Sequence, residues 1–224
     1  MCIREFLRGS ESKTETKTEG YYMDQALSNE QIDTIGEIAN ISMGNSATTL
    51  SMMVNRKVDI TTPNVSVIKR SESLDDYAKT CVFVQIHYVK GLTGNNVLIL
   101  KENDVKVMTD LMMGGDGTNT AGDISELHLS AASEAMNQMM GASATSLSMM
   151  LGVPTDISTP IVNKIDVDSV KIFEKSFETE YEFFVKIAFR ITIGDLIDSV
   201  MVQLYPVQFA REMCAKFMAN EAES

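Results

Sequence analysis

The chain states one helix twice. Asp33, Glu37, Asn40 and Pro63 recur as Ser130, Glu134, Asn137 and Pro160, each displaced by 97 residues, and GNSATTLSMM (Gly44 to Met53) returns as GASATSLSMM (Gly141 to Met150). A duplication inside 224 residues constrains the fold strongly. Each half must fold in the same way, and any surface that one half leaves open is available for the other to close. Two copies are too few for a solenoid, which needs about three or more to bury a continuous core.

The local signals give both halves the same order of elements. Ser28 and Gln31 have capping-box spacing, and Ile32, Ile35, Ile38, Ala39 and Met43 follow at helical period, so one long helix is expected from residue 28. KVDIT and NVSVIKR then read as two extended pieces, and TCVFVQIHYV and NNVLILK as longer strands around the turn GLTG. DVKVMTDLMM reads as a helix closed by Gly114-Gly115. After the turn-rich stretch GGDGTNTAGD, a helix from about Ser125 to Leu151, a short extended piece to Pro160, PIVNKIDV, the strand pair EYEFFVKIAFRITI and DSVMVQLY, and the helix PVQFAREMCAKFMA repeat the series. FVQI at 83–86 answers FVKI at 184–187, and VLIL at 97–100 answers the VMVQL strand.

A lone half would expose a strand edge and an apolar face, so the halves are expected to complete one sheet between them. The expected fold is α/β (α+β): a single domain over residues 28–220, with halves at about 28–115 and 125–220 and internal pseudo-twofold symmetry. Its sheet should be largely antiparallel and its motif-bearing helices long. Residues 1–27 are polar and aperiodic and read as a flexible arm, with 221–224 as a tail. The apolar patch Ile3, Phe6 and Leu7 reads either as a docking peptide or as part of a disordered arm.

Composition removes several functional classes. A net charge of −12 without a dense Lys/Arg cluster argues against nucleic acid. Three scattered cysteines (Cys2, Cys81, Cys214) and two histidines (His87, His128) offer neither a disulfide framework nor zinc-ligand spacing. No stretch approaches the length and apolarity of a membrane span, and no signal-peptide core is visible, so a cytoplasmic protein without membrane insertion is expected. The sixteen methionines are read as core packing.

Residues three and four apart share a helix face, so Asp33, Glu37, Asn40 and Gly44 form one stripe and Ser130, Glu134, Asn137 and Gly141 its twin. The core-facing positions, Ile35, Ile38 and Ala39 and then Ala132, Ala135 and Met139, interleave with it, leaving Glu and Asn to face outward. Gly44 and Gly141 would let a partner or a neighbouring helix come close. Such a stripe could simply solvate an exposed face, but Asn is a mediocre helix former, so two in helix interiors at one place ask for a reason. Pro63 and Pro160 read as turn or strand-start residues.

The spacing Asp or Ser, three residues, Glu, two residues, Asn, then 22 residues to Pro resembles the signature of the CheC/CheX/FliY family of chemotaxis phosphatases, and it occurs twice. The contexts NISMGNSATTLS and SEAMNQMMGASATSLS are similar to the motor-switch branch of that family. The resemblance covers roughly residues 28–220. It implies dephosphorylation of the phosphorylated response regulator CheY, with the acyl phosphate and Mg²⁺ both supplied by the partner and no cofactor of the chain's own. It further implies that Glu37, Asn40, Glu134 and Asn137 are catalytic: Asn would orient the attacking water and Glu would pair with a partner lysine. Asp33, Ser130, Gly44 and Gly141 would support them, and no metal ligand is implied.

The alternatives are a non-catalytic adaptor for phosphorylated CheY, the deamidase CheD or flagellar switch proteins, placed at the motor base, and a duplicated structural domain. No basic, strand-rich segment of the motor-switch kind follows Ser224 and the arm has no clear regulator-binding peptide. A standalone CheC-like protein or a piece holding the middle domain is therefore expected.

Overall fold

The computed structural model describes residues 27–69, 81–164 and 182–223. The expectations for residues 1–26, including the patch Ile3, Phe6 and Leu7, and for 165–181 lie outside the described residues. In chain order the elements are α1 (Asn29–Val54), β1 (Val58–Lys69), β2 (Cys81–Lys90), β3 (Gly94–Lys101), α2 (Glu102–Met112) and α3 (Glu126–Leu151). The series continues with β4 (Asp156–Ile157), β5 (Ile161–Lys164), β6 (Phe183–Ile193), β7 (Ile197–Pro206) and α4 (Val207–Glu223).

The first long helix starts where its capping signal places it, and the second starts at the expected Ser125. Ser28 Oγ accepts the Gln31 N–H at 3.2 Å, and Gln31 Oε1 accepts the Ser28 N–H at 3.0 Å. The twin cap sits 97 residues on, where the Ser125 N–H donates to His128 Nδ1 at 3.0 Å. Leu27, assigned to the arm by the sequence, is buried in the core. It stands just before the cap and Ile32 stands at the fourth helical position; these are the two positions of a hydrophobic staple, which fixes the entry angle of the chain. At the other end, residues 221–223 are not a tail but the last residues of α4.

All strands lie in one antiparallel sheet, ordered β1-β6-β7-β3-β2-β4, with β5 also on β2. Each half contributes a hairpin, β2–β3 or β6–β7, and the two hairpins join through their last strands, with Leu98 opposite Gln203 and Ile99 opposite Val202. The strands that follow each motif helix cross to the other half: β1 pairs with β6, and β4 and β5 pair with β2. Neither half therefore holds its own sheet, and the single domain is an exchange between two repeats.

KVDIT and NVSVIKR form one continuous strand, β1, rather than two pieces, and Pro63 lies inside it rather than at a turn or strand start. The register shifts between Thr61 and Asn64, and β1 is the edge of the sheet. An edge strand with a bulge tolerates a residue that cannot donate to the ladder. Pro160 does stand at a strand start, immediately before β5, and it is buried.

Alternation along β2 sends Val82, Val84, Ile86 and Tyr88 to the helix-covered face, where they join Ile35, Ile38, Leu50, Ala135, Met139 and Leu147 in the main core. Phe83, Val97, Ile99, Phe184, Val202 and Leu204 form a second buried cluster on the opposite face. Met43, Met108, Met136, Met139, Met140, Met201 and Met213 are buried as core residues, whereas Met52, Met113, Met149 and Met218 are exposed.

The repeated segment GNSATTLSMM/GASATSLSMM proves largely structural. Ser46 and Ser143 are both buried, and Ser46 Oγ donates to the Met139 carbonyl across the α1–α3 crossing at 2.9 Å. A hydroxyl is small enough to let the helices approach and supplies the donor that burial demands. One turn later Ser51 Oγ accepts the Val58 N–H at 2.9 Å, and Ser148 Oγ accepts the Thr155 N–H at 2.8 Å. Each serine thus clips the start of the following segment to the end of its helix.

Candidate functional site

On α1, Asp33, Glu37, Asn40, Ile41, Gly44 and Thr48 are among the exposed residues, while Ile35, Ile38, Ala39, Ser42 and Met43 are buried. The polar stripe therefore faces outward on a helix whose opposite side is locked into the core. On α3, Ser130 and Glu134 are exposed as well, but Asn137 and Gly141 are half-buried. A Cβ built on Gly44 or Gly141 would meet nothing within 4 Å. Among the described residues no neighbouring helix uses the space beside either glycine.

Both stripes ride on one rigid unit. α1 and α3 are held together at their crossing by the Ser46 bond and by Asn45 Nδ2, which donates to Ser146 Oγ at 2.6 Å. Beside each Glu, the strand that follows the motif passes close to the helix. A Cβ on Gly36 would stand 3.7 Å from Val65, and at the equivalent place Ser133 Oγ donates to the Pro160 carbonyl at 3.3 Å. This explains why the prolines recur with the motif: the chain just after or at each one lies against the helix one residue before Glu37 or Glu134.

The two copies differ in what the Glu does. Among the described residues Glu37 has no side-chain hydrogen bond or ion pair, whereas Glu134 Oε1 accepts Gln138 Nε2 at 3.0 Å. The residue matching Gln138 is Ile41, a large side chain left 43% exposed. Neither Gln138 nor Ile41 was singled out from the sequence. The signal was present, since each lies four residues after its Glu and the pair breaks the similarity of the repeats.

The chemistry available is that of amides and carboxylates. Cys81 and Cys214 are buried thiols, and burial pushes Cys214 up to about 11, so it stays protonated and a poor nucleophile. Beneath the helices burial pushes the Tyr88 phenol up to about 12, and holds Tyr205 well above its usual value. Both phenols remain neutral. Among the described residues no group of three or more His, Cys, Asp or Glu is placed to hold a metal ion, and no helix is long and apolar enough to cross a membrane. What each stripe offers is a carboxylate and, one turn on, a neutral amide that can donate and accept at once.

Fold and face together define a duplicated single-sheet module that presents a Glu/Asn helix face twice. Comparison with known proteins agrees with that class. The family model for the "CheC-like family" matches residues 30–67 and again 127–163, one match for each repeat. The chain is 44% identical over 196 residues to the flagellar motor switch phosphatase FliY of Bacillus subtilis (strain 168), a match covering 88% of this chain and 51% of that one. It also resembles the crystal structure of Thermotoga maritima FliY, with a TM-score of 0.80 and 39% identity over 86% of this chain and 98% of that one. At fold level it is similar to a chain of the FliG–FliM complex from H. pylori, with a TM-score of 0.66 and 17% identity over 84% of this chain and 100% of that one. The chain belongs to the CheC-like family. It spans about half the length of the curated relative it matches.

Proposed function

We propose that the chain dephosphorylates the phospho-aspartyl response regulator CheY, using Glu37 with Asn40 and Glu134 with Asn137. The observation that carries this reading is the outward placement of each Glu with an Asn one turn away, on two helices braced against the core. The name of the Bacillus subtilis relative, a motor switch phosphatase, supports it.

The mechanism follows from what the stripe offers. The regulator brings its acyl phosphate together with the Mg²⁺ that neutralises it, so the phosphatase needs neither nucleophile nor metal. Asn40 or Asn137 accepts a hydrogen bond from the attacking water and donates one toward the phosphoryl group, holding the water in line. Glu37 or Glu134 pairs with a cationic side chain beside the phosphate and fixes the register of the docked helix. Asp33 and Ser130, one turn nearer the helix start, flank the Glu without reaching the chemistry. Orientation of this kind accounts for a few kcal/mol, on the order of a hundredfold in rate.

The test is phosphate loss from purified CheY charged with acetyl phosphate and Mg²⁺, with and without this chain. Accelerated loss that disappears on removing both Asn side chains is the expected result. Binding of charged CheY without acceleration would favour the second reading, an adaptor for CheY, CheD or flagellar switch proteins at the cytoplasmic base of the motor. That reading has one observation of its own: the fold relative from H. pylori was solved as a FliG–FliM complex.

A further inference from the structure

The two faces share their Glu and Asn but not the residue beside them. Ile41 follows Asn40 directly and stands one turn beyond Glu37, so it lies inside the exposed stripe rather than behind it. A large aliphatic side chain 43% exposed on an otherwise polar face is apolar surface that a docked partner would cover. At the same place on α3 stands Gln138, which offers no such surface and whose Nε2 holds Glu134 Oε1 at 3.0 Å. Glu134 must share or exchange that bond to meet a partner's cation, whereas Glu37 has no such bond to give up among the described residues.

We propose that positions 41 and 138 set the affinity of the two faces for their common partner. Ile41 is an apolar anchor that makes the α1 face the tighter docking site, and Gln138 is a positioning residue that restrains Glu134 and makes the α3 face the weaker one. Neither residue touches the reacting atoms; each acts on how the phosphorylated regulator is held. The inference rests on the Glu/Asn faces being the places where that regulator docks.

The test uses the chain with one face disabled at a time. Glu134→Ala with Asn137→Ala leaves the α1 face, and Glu37→Ala with Asn40→Ala leaves the α3 face. Each is titrated with phosphorylated regulator to separate KM from kcat. In the first protein Ile41→Gln is expected to raise KM about three- to tenfold, as loss of a partly buried aliphatic contact implies, with kcat within about twofold. In the second, Gln138→Ile should lower KM by about threefold or more, and Gln138→Ala, which frees Glu134 without adding apolar surface, by about twofold. Both positions are on the surface, so far-ultraviolet circular dichroism should not change for any of the three substitutions.

An unchanged KM for Ile41→Gln, or a raised one for Gln138→Ile, overturns the inference. If neither single-face protein accelerates phosphate loss, the phosphatase reading fails by itself, and the same substitutions are read as Kd for the regulator charged with beryllofluoride. A weaker Kd for Ile41→Gln and a tighter one for Gln138→Ile would then sustain the inference. Absence of binding by both parents would end it along with the reading beneath it.

Discussion

The α1 and α3 helices are built alike and used differently. Both begin at a serine cap, both carry a buried serine at their crossing, and both end in a serine that clips the next segment, at residues 51 and 148. Their outward faces diverge. Asn40 is exposed and Asn137 half-buried, Glu134 is bonded to its own helix whereas Glu37 has no such bond among the described residues, and an isoleucine on one corresponds to a glutamine on the other. The buried sides must satisfy identical packing and hydrogen-bonding demands because each repeat completes the other. The exposed sides answer only to what docks on them. The difference teaches that the duplication supplies a symmetric frame and that asymmetry enters where packing does not forbid it.

The largest expected effect comes from erasing what the faces have in common. Asn40→Ala combined with Asn137→Ala should abolish accelerated phosphate loss, a fall on the order of a hundredfold, with no shift in thermal midpoint. Turnover surviving in that double variant would remove the amides from the mechanism. Next come the clips, where the halves should behave alike. Ser51→Ala and Ser148→Ala should each cost ~1 kcal/mol in urea unfolding. Markedly unequal losses would show that the frame is less symmetric than its hydrogen bonds.

Single amide removals should then separate the faces. With regulator well below saturation, Asn40→Ala is expected to lower turnover about fourfold and Asn137→Ala by less than about twofold, the order that a tighter α1 face requires. Equal losses would make the faces equivalent despite their different surroundings.

The smallest effect concerns the helices that close each half. α2 carries Asp104 buried in its first turn, whereas α4 has no acid there. Burial raises the Asp104 pKa above its usual value, partly offset by the neighbouring Ser199 side chain and by the charge of Lys101. A raised folded-state pKa means that the neutral form is favoured in the fold. The contribution is present below the unfolded pKa and lost as pH rises through the folded one, leaving a charged group at a cost at neutral pH. Asp104→Asn should therefore raise the thermal midpoint at pH 7 and lose that advantage as the pH is lowered. A variant destabilised at pH 7 would mean that the Ser199 and Lys101 contacts outweigh desolvation.

Much of this was legible from residue order. The cap at Ser28 and the interleaving of Ile35, Ile38 and Ala39 with Glu37 and Asn40 depend on neighbours within about one turn, so the helices and their outward stripes follow from local spacing. The bulged strand through Pro63 did not, because tolerance of a proline depends on whether that strand lies at an edge. The Glu134–Gln138 bond lay within reach of the same local rules but falls outside the motif that the repeats share.

By itself the sequence determined the duplication, the helix ends, the order of elements and the face that each helix turns outward, since these are set by contacts between residues near in the chain. Only the tertiary structure decided that the repeats exchange the strands after their motif helices, β1 onto β6 and β4 with β5 onto β2, and that Asn137 is half-buried while Asn40 is not. These strand pairings join residues far apart in the chain, as Val58 joins Ile193 and Val82 joins Lys164. Which strands pair, and how deeply one copy of a polar position is buried relative to the other, depend on everything packed nearby rather than on local spacing.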